Sequence, residues 1–191
     1  MTYLFGYNDS MAEPQAANVA KSAAEKPAQE ARLEEEMIAS PMTGRILPLS
    51  AVKDEAFSSE AMGKGAAIEP AEGKVYAPVG GTVTAAVRTG HALGILSDSG
   101  AELLIHIGMD TVKLKGQYFT KHVQEGDRIE QGQLLVEFDL EAVQAAGYAV
   151  TTPIVVTNTD RYKQLNVTDE LQIIAGRKLF TTVCSPKAKR R

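Results

Sequence analysis

The stretch "HALGILSDSGAELLIHIG" at positions 91–108 decides how the rest of this chain is read. Two apolar runs flank "SDSG", whose small and polar residues mark a hairpin turn. The hairpin carries a histidine at each end, His91 and His106. If Asp98 and Ser99 form a two-residue loop, Ser97 faces Gly100 and His91 falls directly opposite His106. Their side chains would then share one face, with Cβ atoms roughly 4.5–5.5 Å apart. A three-residue loop without a bulge would send them to opposite faces. The two-residue register is the expectation, with Leu93, Ile95 and Leu104 as apolar surroundings. Such surroundings disfavour the charged form of each ring and leave a neutral nitrogen free to attack phosphorus or bind a metal.

Two chemistries fit a facing histidine pair. A zinc centre is one, but two histidines are a ligand short, and the nearby carboxylates are only Asp110 and Glu102. Nucleophilic catalysis by one ring, oriented by the other, is the second, and the chemistry favours it.

Working outward, the chain reads as β. Short apolar runs rich in β-branched residues are separated by Gly, Pro, Asp and Ser. Expected strands are Met37–Ile38, Gly44–Pro48, Ala66–Glu69, Lys74–Ala77, Gly81–Val87, Ala92–Ser97, Glu102–Ile107, Arg128–Ile129, Gln133–Asp139, Thr152–Val156 and Leu171–Thr182. Only Leu140–Ala146 has helical character: Leu140, Val143 and Ala146 share a face, and Gly147 stops it. Many short strands with close turns predict an all-β antiparallel sandwich or barrel with one or two short helices. No Gly-rich phosphate loop or nucleotide fingerprint occurs.

Composition agrees and sets limits. The chain has 191 residues, is 44% hydrophobic and 6% aromatic, and contains no Trp, so its core must be Val, Ile, Leu and Ala. A formal charge of −4 excludes a basic nucleic-acid binder. A single cysteine, Cys184, excludes a disulfide framework. No apolar run approaches the roughly 18 residues of a membrane span, and the N-terminus lacks a secretion signal, so a cytoplasmic location is expected.

The charge is unevenly spread. Asp9–Glu36 holds 7 acids and 3 bases and is rich in alanine, so positions 9–36 are expected to be a flexible linker. Arg177–Arg191 holds 6 bases and no acid, and positions 184–191 read as a basic tail. Removing both contributions from −4 leaves −6 on Met37–Gly176, where the core lies. "TYLFGYND" at 2–9 puts four large apolar residues before the linker, either an untidy terminus or the stub of a preceding domain.

At "ELLIHIGMDTVKLKG" (102–116) the sequence resembles the glucose-type enzyme IIA domain of the bacterial phosphoenolpyruvate:sugar phosphotransferase system. The likeness runs in order through "SPMTGRILPLSAVKDEAFSSEAMGKGAAIEP" (40–70), "GKVYAPVGGTV" (73–83), "TGHALGILSDSG" (89–100), "VQEGDRIEQGQLLVEFDLEAVQAAGY" (123–148) and "TTPIVVTNTD" (151–160). "GYAVTTPIVVTN" at 147–158 is most similar to the β-glucoside IIBCA branch.

The resemblance implies a barrel-sandwich hybrid over 37–183, no cofactor, and phosphoryl relay. HPr would be the donor and a cysteine of a IIB domain the acceptor, in the same full-length chain, with membrane contact only through the permease. His106 matches the phosphorylated residue, His91 its partner and Thr89 the threonine that assists His91. The stub at 1–8 resembles the end of a IIC domain, and a linker of this length reaches roughly 25–30 Å.

Further expectations concern the surroundings of the pair. His106 should attack through Nε2, with Nδ1–H held by a backbone carbonyl, for which Gly108 is placed. Asp110 should point away from the phosphoryl group or weaken its hold. Phe57, Met62, Ile68 and Val87 are candidates for an apolar docking rim. His91 and His106 could take zinc opportunistically, but none is required. His122 and Cys184 carry no expected role, and the basic tail is a solvated end or a weak anionic-lipid contact.

Two other classes share features. A biotinyl or lipoyl carrier resembles "GKVYAPVGGTV" and "VQEGDRIEQGQLLVEFD", but needs a lysine at the hairpin tip, where this chain has "SDSG". A regulatory module whose partner affinity depends on phosphorylation of His106 would use the same residues.

Overall fold

The computed structural model describes residues 35–184, which form fourteen strands and two short α-helices. In chain order they are β1 (Glu35–Ala39), β2 (Gly44–Leu47), α1 (Glu55–Ser58), β3 (Lys64–Pro70), β4 (Lys74–Tyr76), β5 (Gly81–Ala86), β6 (Ala92–Ser97) and β7 (Glu102–His106). Then follow β8 (Phe119–Lys121), β9 (Arg128–Ile129), β10 (Leu134–Phe138), α2 (Leu140–Ala145), β11 (Thr152–Val156), β12 (Tyr162–Val167), β13 (Gln172–Ile173) and β14 (Lys178–Cys184). All pairings are antiparallel. An eight-stranded sheet runs β13-β2-β3-β11-β7-β6-β5-β9, beside three-stranded sheets β1-β14-β12 and β4-β10-β8. The fold is thus an all-β sandwich, as the composition predicts.

Alternation along the central strands sorts side chains into two clusters. Ala66, Ile68, Leu103, Ile105 and Ile154 face the main core, with Leu93, Ile95 and Phe180. Ala67 and Val155 face the other way, into a small cluster with Leu49, Val52 and Phe57, against which Leu104 packs. The period of two explains this split: one residue along, a strand shows its opposite face. Segment 48–62 therefore acts as a lid on the outer face of the large sheet. Asp54 caps α1 by accepting from the Ala56 N–H, and that single turn drives Phe57 inward.

Several strand ends shift by a residue or two from the sequence reading, and three assignments change. Glu35 and Glu36, assigned above to the linker, begin β1, because pairing with Val183 and Thr182 of β14 gives their backbone partners. Cys184, assigned to the tail, ends β14 and pairs with Tyr162. The run Leu171–Thr182 breaks into β13 and β14 at Gly176, whose φ of +85° no strand tolerates. The polar strand β12 and the short β8 lack the apolar alternation that would reveal them. The stub at 1–8, most of the linker and residues 185–191 lie outside the described residues.

No helix among the described residues is long and apolar enough to cross a membrane.

Candidate active site

The hairpin β6–β7 does not have the two-residue loop. Gly100 N–H donates to the Ser97 carbonyl at 3.0 Å, and Ser97 N–H donates to the Ala101 carbonyl at 2.8 Å. The loop is Asp98–Ser99–Gly100, with Gly100 at φ +98°. The Ser97 hydroxyl reinforces it by accepting from Ala101 N–H at 2.8 Å. The register therefore shifts by one, and Ala92, not His91, stands opposite His106.

The two histidines meet nonetheless. His91 precedes β6, in a turn closed by Gly90 N–H donating to the Val87 carbonyl at 3.0 Å. Gly90 sits at φ +75°, so strict alternation has not yet begun at His91. Its backbone still pairs, accepting from Ile107 N–H at 2.6 Å, while its ring stands against His106. The ring centroids are 5.2 Å apart and the planes lie at 76°, edge to face.

His106 lies on the outer face of the sheet, where Leu104 also points. Phe57 covers one side of its ring, with centroids 5.5 Å apart. Leu93 and Ile95, expected as its surroundings, are in the main core behind the sheet. The register shift is the reason: it exchanges the faces of β6 relative to β7.

Each ring has one nitrogen committed. Nδ1 of His106 lies 2.8 Å from the Gly108 carbonyl. A carbonyl only accepts, so Nδ1 carries the proton and the neutral ring has its lone pair on Nε2. Nδ1 of His91 lies 2.6 Å from the Thr89 hydroxyl. If that hydroxyl donates, the His91 proton sits on Nε2, available to an anionic ligand. His91 is buried, and desolvation, followed by the proximity of His106, pushes its pKa below the ordinary imidazole value.

The remaining candidates divide. Asp110, at φ +60°, is exposed and pairs with Lys113 at 3.0 Å. Met62 and Val87 are exposed. Ile68 is not a rim residue, because it points from β3 into the main core with no exposure. Phe57 is buried as well and reaches the site only as the wall beside His106. Val112 and Tyr118, which sequence reasoning missed, expose apolar surface on the connection after β7. Gly116 on that connection abuts Thr89, and no periodic pattern marks such loop residues in sequence.

His122 is separate, bonded to Glu137 at 2.8 Å. Among the described residues no group of three or more His, Cys, Asp or Glu side chains is arranged to hold a metal. A zinc ion on the pair would need a ligand from another molecule. A cavity of about 590 Å³ lined by Thr43, Arg45, Glu69 and Arg177 shares no residue with the pair.

The chain is similar to known proteins along most of its described length. A family profile described as the phosphoenolpyruvate-dependent sugar phosphotransferase system, EIIA 1, matches residues 36–162. The β-glucoside-specific EIIBCA component of Halalkalibacterium halodurans is 57% identical over 147 residues, covering 77% of this chain and 23% of that protein. The β-glucoside-specific EIIBCA component of Bacillus subtilis is 60% identical over 127 residues, covering 66% of this chain and 21% of that protein. The chain thus spans about a quarter of the length of these curated relatives. Among solved structures, the glucose permease IIA of Mycoplasma capricolum superposes with a TM-score of 0.73 at 34% identity, covering 78% of this chain and 96% of that one. With residues 36–162 matched and the fold shared along nearly all of a solved relative, the chain belongs to the EIIA 1 family, a phosphotransferase component of the phosphoenolpyruvate-dependent sugar phosphotransferase system.

Proposed function

We propose that this domain relays a phosphoryl group through His106, from phospho-HPr to a cysteine of a IIB domain, within a β-glucoside-type permease on the cytoplasmic side of the membrane. The observation that supports it most is the contact of His106 Nδ1 with the Gly108 carbonyl, which leaves Nε2 as the nucleophile. In the first step the Nε2 pair forms the N–P bond while the donor histidine's N–P bond breaks, and its electrons return to the donor nitrogen. In the second, a cysteine thiolate attacks phosphorus and the pair returns to Nε2.

The protein's contribution is placement and charge stabilisation. His91 donates from Nε2 to a phosphoryl oxygen, and Thr89 fixes the tautomer that makes this possible. Lys113 offsets the negative charge of Asp110 beside the site. Val87, Met62, Val112 and Tyr118 supply exposed apolar surface for partners that must reach the ring. Relatives that carry B, C and A components in one chain favour a IIB partner in the same polypeptide.

Incubation with phosphoenolpyruvate, enzyme I and HPr, followed by intact mass measurement, tests the reading. A gain of one phosphate is expected in the wild type and in His91→Gln, and none in His106→Gln. Phosphorylation persisting in His106→Gln would overturn it.

A further inference from the structure

The carbonyl that holds His106 belongs to a turn gripped from both sides by buried hydroxyls. In the peptide unit joining Ile107 to Gly108, the Ile107 carbonyl accepts from the Thr111 hydroxyl at 2.6 Å. The N–H of the same unit donates to the Thr152 hydroxyl at 3.4 Å, a long bond. Thr152 in turn donates to the Val150 carbonyl at 2.8 Å. Thr111 is 1% exposed and Thr152 is not exposed at all.

The next peptide unit is held as firmly. Its carbonyl, that of Gly108, takes the His106 Nδ1 contact, and its N–H, that of Met109, donates to the Ala149 carbonyl at 2.9 Å. Bonding the N–H of an amide strengthens its carbonyl as an acceptor. Gly108 itself sits at φ +68°, and a Cβ there would lie 2.6 Å from the Ala149 oxygen and 2.7 Å from Thr111 Cγ2. The turn has no slack, and its conformation is set by Thr111 and the 149–152 segment rather than by the histidine.

We propose that Thr111 and Thr152 are positioning residues that hold the Gly108 carbonyl on His106 Nδ1, and so keep a proton on that nitrogen through the phosphoryl cycle. This rests on the relay reading above. When Nε2 bonds to phosphorus, a proton retained on Nδ1 makes the ring a cation, and neutral imidazole is what leaves in the next transfer. If Nδ1 gives up its proton, the leaving group is an imidazolate and the phosphohistidine becomes long-lived. The transfer itself is proton-neutral: the pair that forms the Nε2–P bond returns to Nε2 when the bond breaks. The neighbouring titratable group is His91, edge-on to the ring, and the next charges along the turn are Asp110 and its partner Lys113.

The test uses Thr111→Val, Thr152→Val and the two serine replacements. Nitrogen-15 NMR of unphosphorylated protein reads the His106 tautomer without any partner. The wild type is expected to show Nδ1–H only, the valine variants a mixture, and the serine variants the wild-type pattern. In phosphorylated protein, the pH midpoint of phosphohistidine hydrolysis is expected to fall by about half a unit in the valine variants and to return with serine. Wild-type tautomer and midpoint in both folded valine variants would overturn the proposal, as would failure of serine to restore them. If Thr152→Val does not fold, Thr111→Val carries the test from the other end of the same peptide. Failure of the relay reading appears separately, as wild-type protein that shows the Nδ1–H tautomer but takes no phosphate.

Discussion

The ring of His91 stands edge-on to that of His106, centroids 5.2 Å apart, although the two residues are not paired across the hairpin. The contact arises because His91 lies in the turn before β6 and is tied there by Thr89. The geometry therefore depends on a side-chain hydrogen bond more than on sheet register. Thr89→Val removes that bond while keeping shape. A net hydrogen bond of about 1 kcal/mol corresponds to roughly a fivefold loss in rate. The expected result is phosphorylation of His106 slowed by about that factor with thermal stability little changed, read from initial rates of phosphate incorporation.

Phe57 and Val87 separate packing from docking. Phe57 is 5% exposed and anchors the outer cluster. Phe57→Ala is expected to cost about 3–5 kcal/mol in urea unfolding, as for other buried aromatics. Phe57→Glu would bury a carboxylate and cannot serve as a clean probe of partner binding. Val87 is 37% exposed, so Val87→Glu should leave the unfolding midpoint within about 0.5 kcal/mol while slowing transfer from phospho-HPr. Stopped transfer kinetics with the two variants show which effect each has.

His91 makes stability depend on pH. Its folded pKa is depressed from the ordinary 6.5, by burial first and by His106 second. As pH falls through 6.5 the unfolded chain takes a proton that the folded site resists, so the unfolded state gains. Stability is expected to be full above that point and to decline as pH drops toward the folded pKa. Melting curves between pH 8 and 5 should show a steeper decline in the wild type than in His91→Gln.

Glu36 works in the opposite sense. Its Oε2 is buried without a hydrogen-bond partner, opposite Thr182, whose hydroxyl is also unpaired. Desolvation, first, and the nearby Asp98 carboxylate raise its pKa above the ordinary 4.5, against the hydroxyls of Ser97 and Ser99 in its surroundings, which lower it. A raised carboxyl favours the fold at low pH and costs stability as pH rises through the folded pKa. Glu36→Gln is therefore expected to stabilise the domain near neutral pH by about 1 kcal/mol and to lose that advantage near pH 4, measured by urea midpoints.

The sequence was most legible where period and turn chemistry act locally. Ala92–Ser97, Arg128–Ile129 and Thr152–Val156 are strands at the expected bounds, and α2 starts where Asp139 caps it. It was least legible for β12, a polar strand formed only because β14 offers it an edge. The candidate site was half legible. The residue types and the contact with Gly108 follow from short-range spacing, since Gly108 is two residues beyond His106.

By itself, the sequence determined the all-β class, the pair of histidines on one hairpin and the placement of Gly108 two residues after His106, because each depends on residues close in the chain, whereas Thr89 is implied by the family resemblance. Only the tertiary structure decided the register, the face and the walls of the site. One extra loop residue, Gly100, moves Ala92 opposite His106 and turns Leu93 and Ile95 into the core. Phe57 beside the ring arrives from 49 positions before His106, and Thr152 under Gly108 from 44 positions after that glycine. Their approach is fixed by the burial of the outer cluster and by the pairing of β11 with β7, long-range contacts that no local pattern encodes.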